Sequence, residues 1–276
     1  MSNEDFPADP DTVVPLPMTG ERTAPDTDQE NYWFRRHEIV YLAWRERCRD
    51  RDVIEAGAGE GYGAGMLAPY TQSLHGVDYD LLACQHATSK YRVGAPCPLT
   101  FTQADLGALP FADECADVIV NSQVIEHLPD QEGFVAECFR VLRPGGVLVV
   151  ATPNRITFTP AGQPINPFHI RELNARELAD LLVGPGFELV ETLGVYHGPH
   201  LRHLDDKWGG LIRAQLQPYL ENRPWSAELR ADVDSVTATD FEFRTCPPAE
   251  VRDGALDDPT SLDDSLDLVF VGRKLR

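Results

Sequence analysis

The strongest constraint in this chain is the run Val53-Ile54-Glu55-Ala56-Gly57-Ala58-Gly59-Glu60-Gly61-Tyr62-Gly63, where an apolar stretch gives way to glycine at every second position. A short apolar run ending in such glycines reads as a buried strand that turns tightly into a helix and exposes bare backbone to a ligand. Further short apolar runs follow at DVIEAG (52–57), LHGVD (74–78), LTFTQAD (99–105), ADVIVNS (116–122) and GVLVVATPN (146–154), with helical stretches between them. That alternation predicts a doubly wound, mostly parallel α/β sheet covered on both faces. One intervening helix spans about Asp130 to Leu142, opening after Pro129 and stopping at Arg143-Pro144-Gly145-Gly146. A second spans about Asn174 to Val183 and ends at Gly184-Pro185-Gly186, before an extended segment FELVETLGVYH; DLVFVGRKL, from Asp267, reads as the last strand.

The 276 residues suit one such domain with appended pieces. Residues 1–27, rich in Pro, Asp and Thr without periodicity, read as a flexible arm, and 28–276 as a single domain. Trp33, His37, Val40 and Trp44 follow helical spacing, which places an amphipathic helix ahead of the first strand, with His37 packed in its apolar stripe. The stretch 198–266 is too long for a plain connection and reads as an inserted substrate cap. Six scattered cysteines, with no C-x-x-C pair, argue against a disulfide framework or structural zinc and fit a reducing cytoplasm. The N-terminus lacks the basic start and apolar run of a signal peptide, and no segment approaches ~18 continuous apolar residues, so neither export nor membrane insertion is expected. A formal charge of −20 opposes binding to phosphate backbones and argues against nucleic acid as substrate.

Two details of the glycine turn distinguish its ligand. Glu55 lies two residues before the first glycine, where a carboxylate meets the amino group of a bound amino acid, and Tyr62 stands where a dinucleotide fingerprint needs glycine or alanine. A sulfonium amino-acid cofactor therefore fits better than a pyrophosphate, with Gly57 and Gly59 supplying the close backbone. Asp78, at the end of the second run and twenty-one positions after Gly57, is placed for the ribose hydroxyls, with Tyr79 beside it. Asp105 and Leu106, after the third run, are placed for adenine. Asn121 to Gln123, ending the fourth, face the reactive end.

Taken in order, EAGAGEG, GVDYD, ADLGALPF, ADVIVNSQVIEHL and VLRPGGVLVVATPN resemble the successive motifs of class I S-adenosylmethionine methyltransferases, from about Asp52 to Asn154. The flanking TGERT, ENYWFRRHE, TPNRITF, INPFHIRELN and YHGP resemble methyltransferases of mycobacterial polymethylated polysaccharides, notably the methylglucose lipopolysaccharide type, over almost the whole chain. The resemblance implies S-adenosylmethionine as methyl donor, S-adenosylhomocysteine as product, and a sugar hydroxyl of an oligo- or polysaccharide as acceptor. In resembling enzymes the helix before the first strand covers the cofactor, which would bring Tyr32 or His37 over it.

An alcohol acceptor has a pKa far above neutrality, so a general base or a metal is useful as the O–CH3 bond forms. Gln123-Val124-Ile125-Glu126-His127 follows the fourth run, where the methyl should emerge, and His127 is the candidate base with Glu126 orienting it. The plainer reading has both residues opening the next helix. A third rests on resemblance to the E-x-x-E-H metal motif of some small-RNA and quinone O-methyltransferases, with Gln123 in place of the first glutamate; Glu126, His127 and His169 would then hold Mg²⁺. His169 follows the fifth run closely enough to reach the acceptor, or else starts a helix. His197, His200 and His203 read as a polar lid rather than a metal cluster, and Trp208 and Trp225 offer flat faces to a sugar or pack the cap. A quinone, phenol or other small acceptor is the alternative substrate class. A nicotinamide oxidoreductase, against which Glu55 and Tyr62 argue, and a non-catalytic cofactor-binding protein are the alternative functions. Monomer and homodimer both stay open.

Overall fold

A computed structural model describes residues 13–17, 22–25, 27, 29–159, 166–221, 223–253 and 262–275. Eight strands form one sheet: β1 Asp52–Ala56, β2 Ser73–Asp78, β3 Leu99–Gln103, β4 Ala116–Ser122, β5 Leu142–Pro153, β6 Phe187–His197, β7 Phe241–Thr245 and β8 Asp267–Lys274. Their order is β3-β2-β1-β4-β5-β8-β6-β7. The first five pair in parallel, whereas β8 runs antiparallel between β5 and β6, and β7 antiparallel along β6. The direction of winding reverses between β1 and β4, and in sheets of this kind a crevice opens there beyond the carboxyl ends of the strands.

The helices are α1 Asn31–Trp44, α2 Tyr62–Leu67, α3 Leu81–Tyr91, α4 Gln131–Val141, α5 Arg155–Phe158, α6 Ala175–Val183, α7 Pro199–Trp208, α8 Leu211–Leu220, α9 Ala227–Asp234 and α10 Pro248–Asp253. Local chemistry sets several of their starts. Asp80 accepts from the Leu82 amide at α3, Asp130 from Gly133 at α4, and Asn174 and Glu177 exchange hydrogen bonds as a capping box at α6. One sheet face packs Phe134, Val135 and Cys138 of α4 and Leu178, Ala179 and Leu182 of α6 against Ile119, Leu148, Val150 and Phe270. The other takes Val40 and Trp44 of α1 with Leu201, Leu229 and Val233 from α7 and α9. Fully burying each such large side chain contributes about 1.5–3 kcal/mol, so both layers help hold the sheet together.

The structure corrects two expectations. The 198–266 stretch is not all cap, because β7 lies within it and extends the sheet: Phe241 is buried, and Phe243 meets Trp44 edge-on. In the arm, residues 1–12, 18–21 and 26 lie outside the described residues, and Val13, Pro15 and Pro17 are exposed, but several of the others are held against the domain. Val14 is held by Ser89 and His86 of α3, Arg22 pairs with Asp80 at 2.9 Å, and Thr23 and Ala24 are buried. Among the described residues, no helix is long and apolar enough to cross a membrane.

Candidate functional site

A cavity of about 1030 Å³ opens at the carboxyl ends of β1 to β5. Its floor is the glycine turn. Gly57, Gly59 and Gly61 have φ of +86°, +52° and +97°, the left-handed region that side chains avoid. A Cβ at Gly57 would strike Val124 at 2.4 Å, whereas one at Gly59 would meet nothing within 4 Å, so bare backbone faces open space there. Asp78 anchors the turn, accepting from the Gly59 amide at 2.8 Å and the Asp80 amide at 2.9 Å. Tyr79, Asp105 and Leu106 also line the cavity, and Asp105 accepts from the Gly107 amide at 2.8 Å. Asp105 thus caps the short turn at 106–108 while lining the cavity. Arg22 and Thr23 from the arm close the same region, which the sequence reading missed.

From the other side, α1 presents Trp33, Arg36, His37 and Tyr41 to the cavity. His37 Nδ1 lies 3.0 Å from the Tyr62 hydroxyl; loss of solvation, with Arg36 and His127 nearby, lowers its pKa to about 3, so the ring is neutral. Three expected cofactor residues lie outside the cavity wall. Tyr32 is fully buried, with its hydroxyl 2.7 Å from His197 Nε2, because it occupies the inward face of α1. Asn121 is likewise buried and donates to the Ala56 carbonyl, tying β4 to β1.

Glu55 lies behind the turn, under α2: a Cβ at Gly63 would come within 2.0 Å of its Oε1. The direct meeting of Glu55 with a cofactor amino group is therefore not laid out. Neither carboxylate oxygen has a hydrogen bond of regular geometry. Burial pushes its pKa up to about 8, with the Tyr41 hydroxyl and Ala64 amide opposing. The folded protein then holds a proton on Glu55 that the unfolded chain, at the ordinary glutamate value of 4.5, releases. Its contribution to stability falls as pH rises from about 5 to about 8, the reverse of the usual carboxylate case. Glu55→Gln should remove that slope: the variant's melting temperature should gain on the parent's between pH 5 and pH 8. Parallel curves would show Glu55 to be ionised in the fold.

Where β4 and β5 end, three side chains converge. Glu126 is 1% exposed; its Oε2 accepts from Thr152 Oγ1 at 2.8 Å, and burial pushes its pKa up to about 7 while His169 opposes. His127 Nε2 is 3.9 Å from Glu126 Oε1, and its Nδ1 donates to the Phe168 carbonyl at 3.0 Å. His169 Nδ1 is 2.7 Å from Glu172 Oε1, and its ring crosses that of His127 edge-on at 4.8 Å. Candidate donor atoms of Glu126, His127 and His169 all lie within 4.8 Å of one another. The Glu126 carbonyl accepts from the Ile170 and Arg171 amides, locking the 166–171 loop over this point. Residues 125–127 form one 3-10 turn, so Glu126 and His127 precede α4 rather than open it. Phe158 stacks on His169, and Trp33, Phe168 and Trp225 stand nearby in the cavity wall. Trp208 is spent on packing, donating to Asp232, and His197 sits beside Tyr32.

Below this cluster lies a contact no sequence pattern announced. Arg36 donates twice to Asp267, at 2.6 Å each, with both side chains at most 2% exposed. Gln123, whose φ of +57° is rare for a residue with a side chain, donates to the same carboxylate at 3.1 Å. Strain of this kind persists where surrounding structure over-determines it, here at the end of β4.

The methyltransferase domain family matches residues 54–150. Over 267 residues, 95% of this chain and 98% of the relative, the sequence is 50% identical to a protein of Mycolicibacterium smegmatis named a probable S-adenosylmethionine-dependent methyltransferase. It is 29% identical over 228 residues, 78% of each, to the phthiotriol/phenolphthiotriol dimycocerosates methyltransferase of Mycobacterium tuberculosis. The crystal structure of an S-adenosylmethionine-dependent methyltransferase from Mesorhizobium loti superposes with a TM-score of 0.52 at 16% identity, covering 86% of this chain and 97% of that one. That likeness shows the fold.

Proposed function

The chain belongs to the class I S-adenosylmethionine-dependent methyltransferases, and from that premise we propose that it methylates a hydroxyl of an oligo- or polysaccharide. The observation that carries the reading is the cavity itself, which joins a glycine turn and ribose-placed carboxylate, at one end, to Glu126, His127 and His169 beside aromatic faces at the other. Phe158, Trp33, Phe168 and Trp225 suit the apolar faces of sugar rings, and the polar cluster suits a hydroxyl. The −20 charge supports an uncharged acceptor over a polyanion.

S-adenosylmethionine supplies a methyl on a cationic sulfur; its transfer to oxygen forms the O–C bond, breaks the C–S bond with its electron pair going to sulfur, and frees the hydroxyl proton. The chain's part is largely positional. The Gly57–Gly59 backbone and Asp78 hold the adenosyl end, Asp105 and Leu106 flank it, and Gln123 faces the reactive region. The Glu126–His127–His169 cluster receives the acceptor hydroxyl and its proton. Arg22, Thr23 and α1 screen the site from water.

The test is turnover to S-adenosylhomocysteine across partially methylated glucose and mannose oligosaccharides, with quinones and phenols in the same panel. Saccharide turnover supports the reading. Turnover confined to quinones, phenols or lipids overturns it in favour of the second reading, which the exposed Ile156, Phe168 and Ile170 and the acceptor named for the M. tuberculosis relative favour. No turnover with cofactor bound points to a binding protein. Asp78→Ala should weaken cofactor affinity at least ~10-fold by removing a charge-assisted acceptor; unchanged affinity in calorimetry would refute the ribose assignment.

A further inference from the structure

The donor set at the reactive end of the cavity does not suit the Mg²⁺ expected from the sequence. Mg²⁺ demands near-octahedral oxygen ligands, whereas two of the three converging donors here are imidazoles and one is a carboxylate. We propose that Glu126, His127 and His169 instead bind a divalent ion of the zinc and cobalt kind, with the remaining positions open to the acceptor hydroxyl. The inference rests on the methyl-transfer reading for its role, but not for its geometry.

Three observations carry it. The donor atoms lie within 4.8 Å of one another, the His127 Nε2 to Glu126 Oε1 separation being 3.9 Å. An ion with bonds of about 2.0–2.2 Å holds its ligands roughly 3.3 Å apart, so closure by at most about 1.5 Å completes the site. Each histidine also has its outer nitrogen committed: His127 Nδ1 donates to the Phe168 carbonyl and His169 Nδ1 to the Glu172 carboxylate. Those bonds favour the tautomer that leaves Nε2 unprotonated for ligation, as carboxylates and carbonyls do behind metal-bound histidines. Finally, Glu172 is itself buried, and its Oε2 has no hydrogen-bond partner, an arrangement costly around a neutral ring and favourable behind an imidazole that shares a cation's charge. The ligands come from two segments, the turn after β4 and the loop after β5, so an ion would also lock the loop that closes the acceptor end.

The full-length protein, stripped of metal, is titrated with Zn²⁺, Co²⁺ and Mg²⁺ in calorimetry, and the Co²⁺ form is read by visible absorption. Expected are one site, Zn²⁺ affinity at least ~100-fold above that of Mg²⁺, and d–d bands of a nitrogen–oxygen site. His127→Ala and His169→Ala should abolish the bands, and Glu172→Gln should weaken binding ~10–100-fold. S-adenosylhomocysteine titration of every variant checks that it is folded. Equal affinity for Mg²⁺, bands unchanged in a folded His169→Ala variant, or a thiolate band from Cys97 or Cys115, which are only half-buried, would each overturn the proposal. Cofactor binding and methyl transfer in fully metal-free protein would overturn the site's role while leaving the methyl-transfer reading intact. Co²⁺ binding as expected, with no saccharide turned over, would leave the site standing and remove the acceptor.

Discussion

Glu126→Gln should lower kcat at least ~100-fold while leaving the dissociation constants for S-adenosylmethionine and S-adenosylhomocysteine within about threefold. The glutamine keeps the volume of a side chain that is 1% exposed, and it can still accept from Thr152. It loses the carboxylate that either takes the hydroxyl proton or holds an ion that acidifies it. Because Glu126 follows β4 and the cofactor turn follows β1, the loss should fall on turnover and not on cofactor affinity. His127→Ala should behave alike, with kcat and kcat/KM falling together. Full activity in either variant removes that residue from the chemistry; loss of cofactor affinity in step with kcat would mean that the cluster shapes the cofactor pocket instead.

What the sequence made legible follows its range. The five parallel strands and the glycine turn were readable because each depends on neighbours a few positions away. The grouping of Glu126, His127 and His169 was also readable, since two are adjacent and the third follows the next strand. Glu172 carried a signal that went unused: an acid three residues after His169 can reach back to its ring, and does so at 2.7 Å. Tyr32 and Asn121 came out wrongly oriented, because a one-position change around a helix or along a strand turns a side chain from cavity to core, and proximity to a motif does not set that phase. β7 was hidden by its setting: FEFRT lies among helical segments and gains its identity from pairing with β6. Nothing local could reveal Arg36 and Asp267, which meet across 231 positions.

That pair gives the second large expected effect, on stability. Arg36→Met should destabilise the fold by about 3–5 kcal/mol, since it leaves the Asp267 carboxylate, itself 0% exposed, buried without its cation. For a chain of this size each kcal/mol moves the melting temperature roughly 2–4 °C, so a fall of order 10 °C is expected. The double variant Arg36→Met/Asp267→Leu should recover most of that fall, because two apolar side chains of similar volume pack without any charge to desolvate. Recovery should be incomplete: Gln123 donates to the same carboxylate, and its amide would then be left without an acceptor at about 1–3 kcal/mol. The two variants separate what the pair does for the fold from what it does for the site. Arg36 joins α1 to the first residue of β8, and both Arg36 and Gln123 line the cavity, so the double variant should fold yet hold Gln123 loosely. Its expected signature is stability recovered to within about 1–3 kcal/mol of the parent, with reduced kcat. Parental kcat would make the pair a packing device only, and a double variant no more stable than Arg36→Met would show that the ion pair itself, not relief of a stranded charge, sustains the junction.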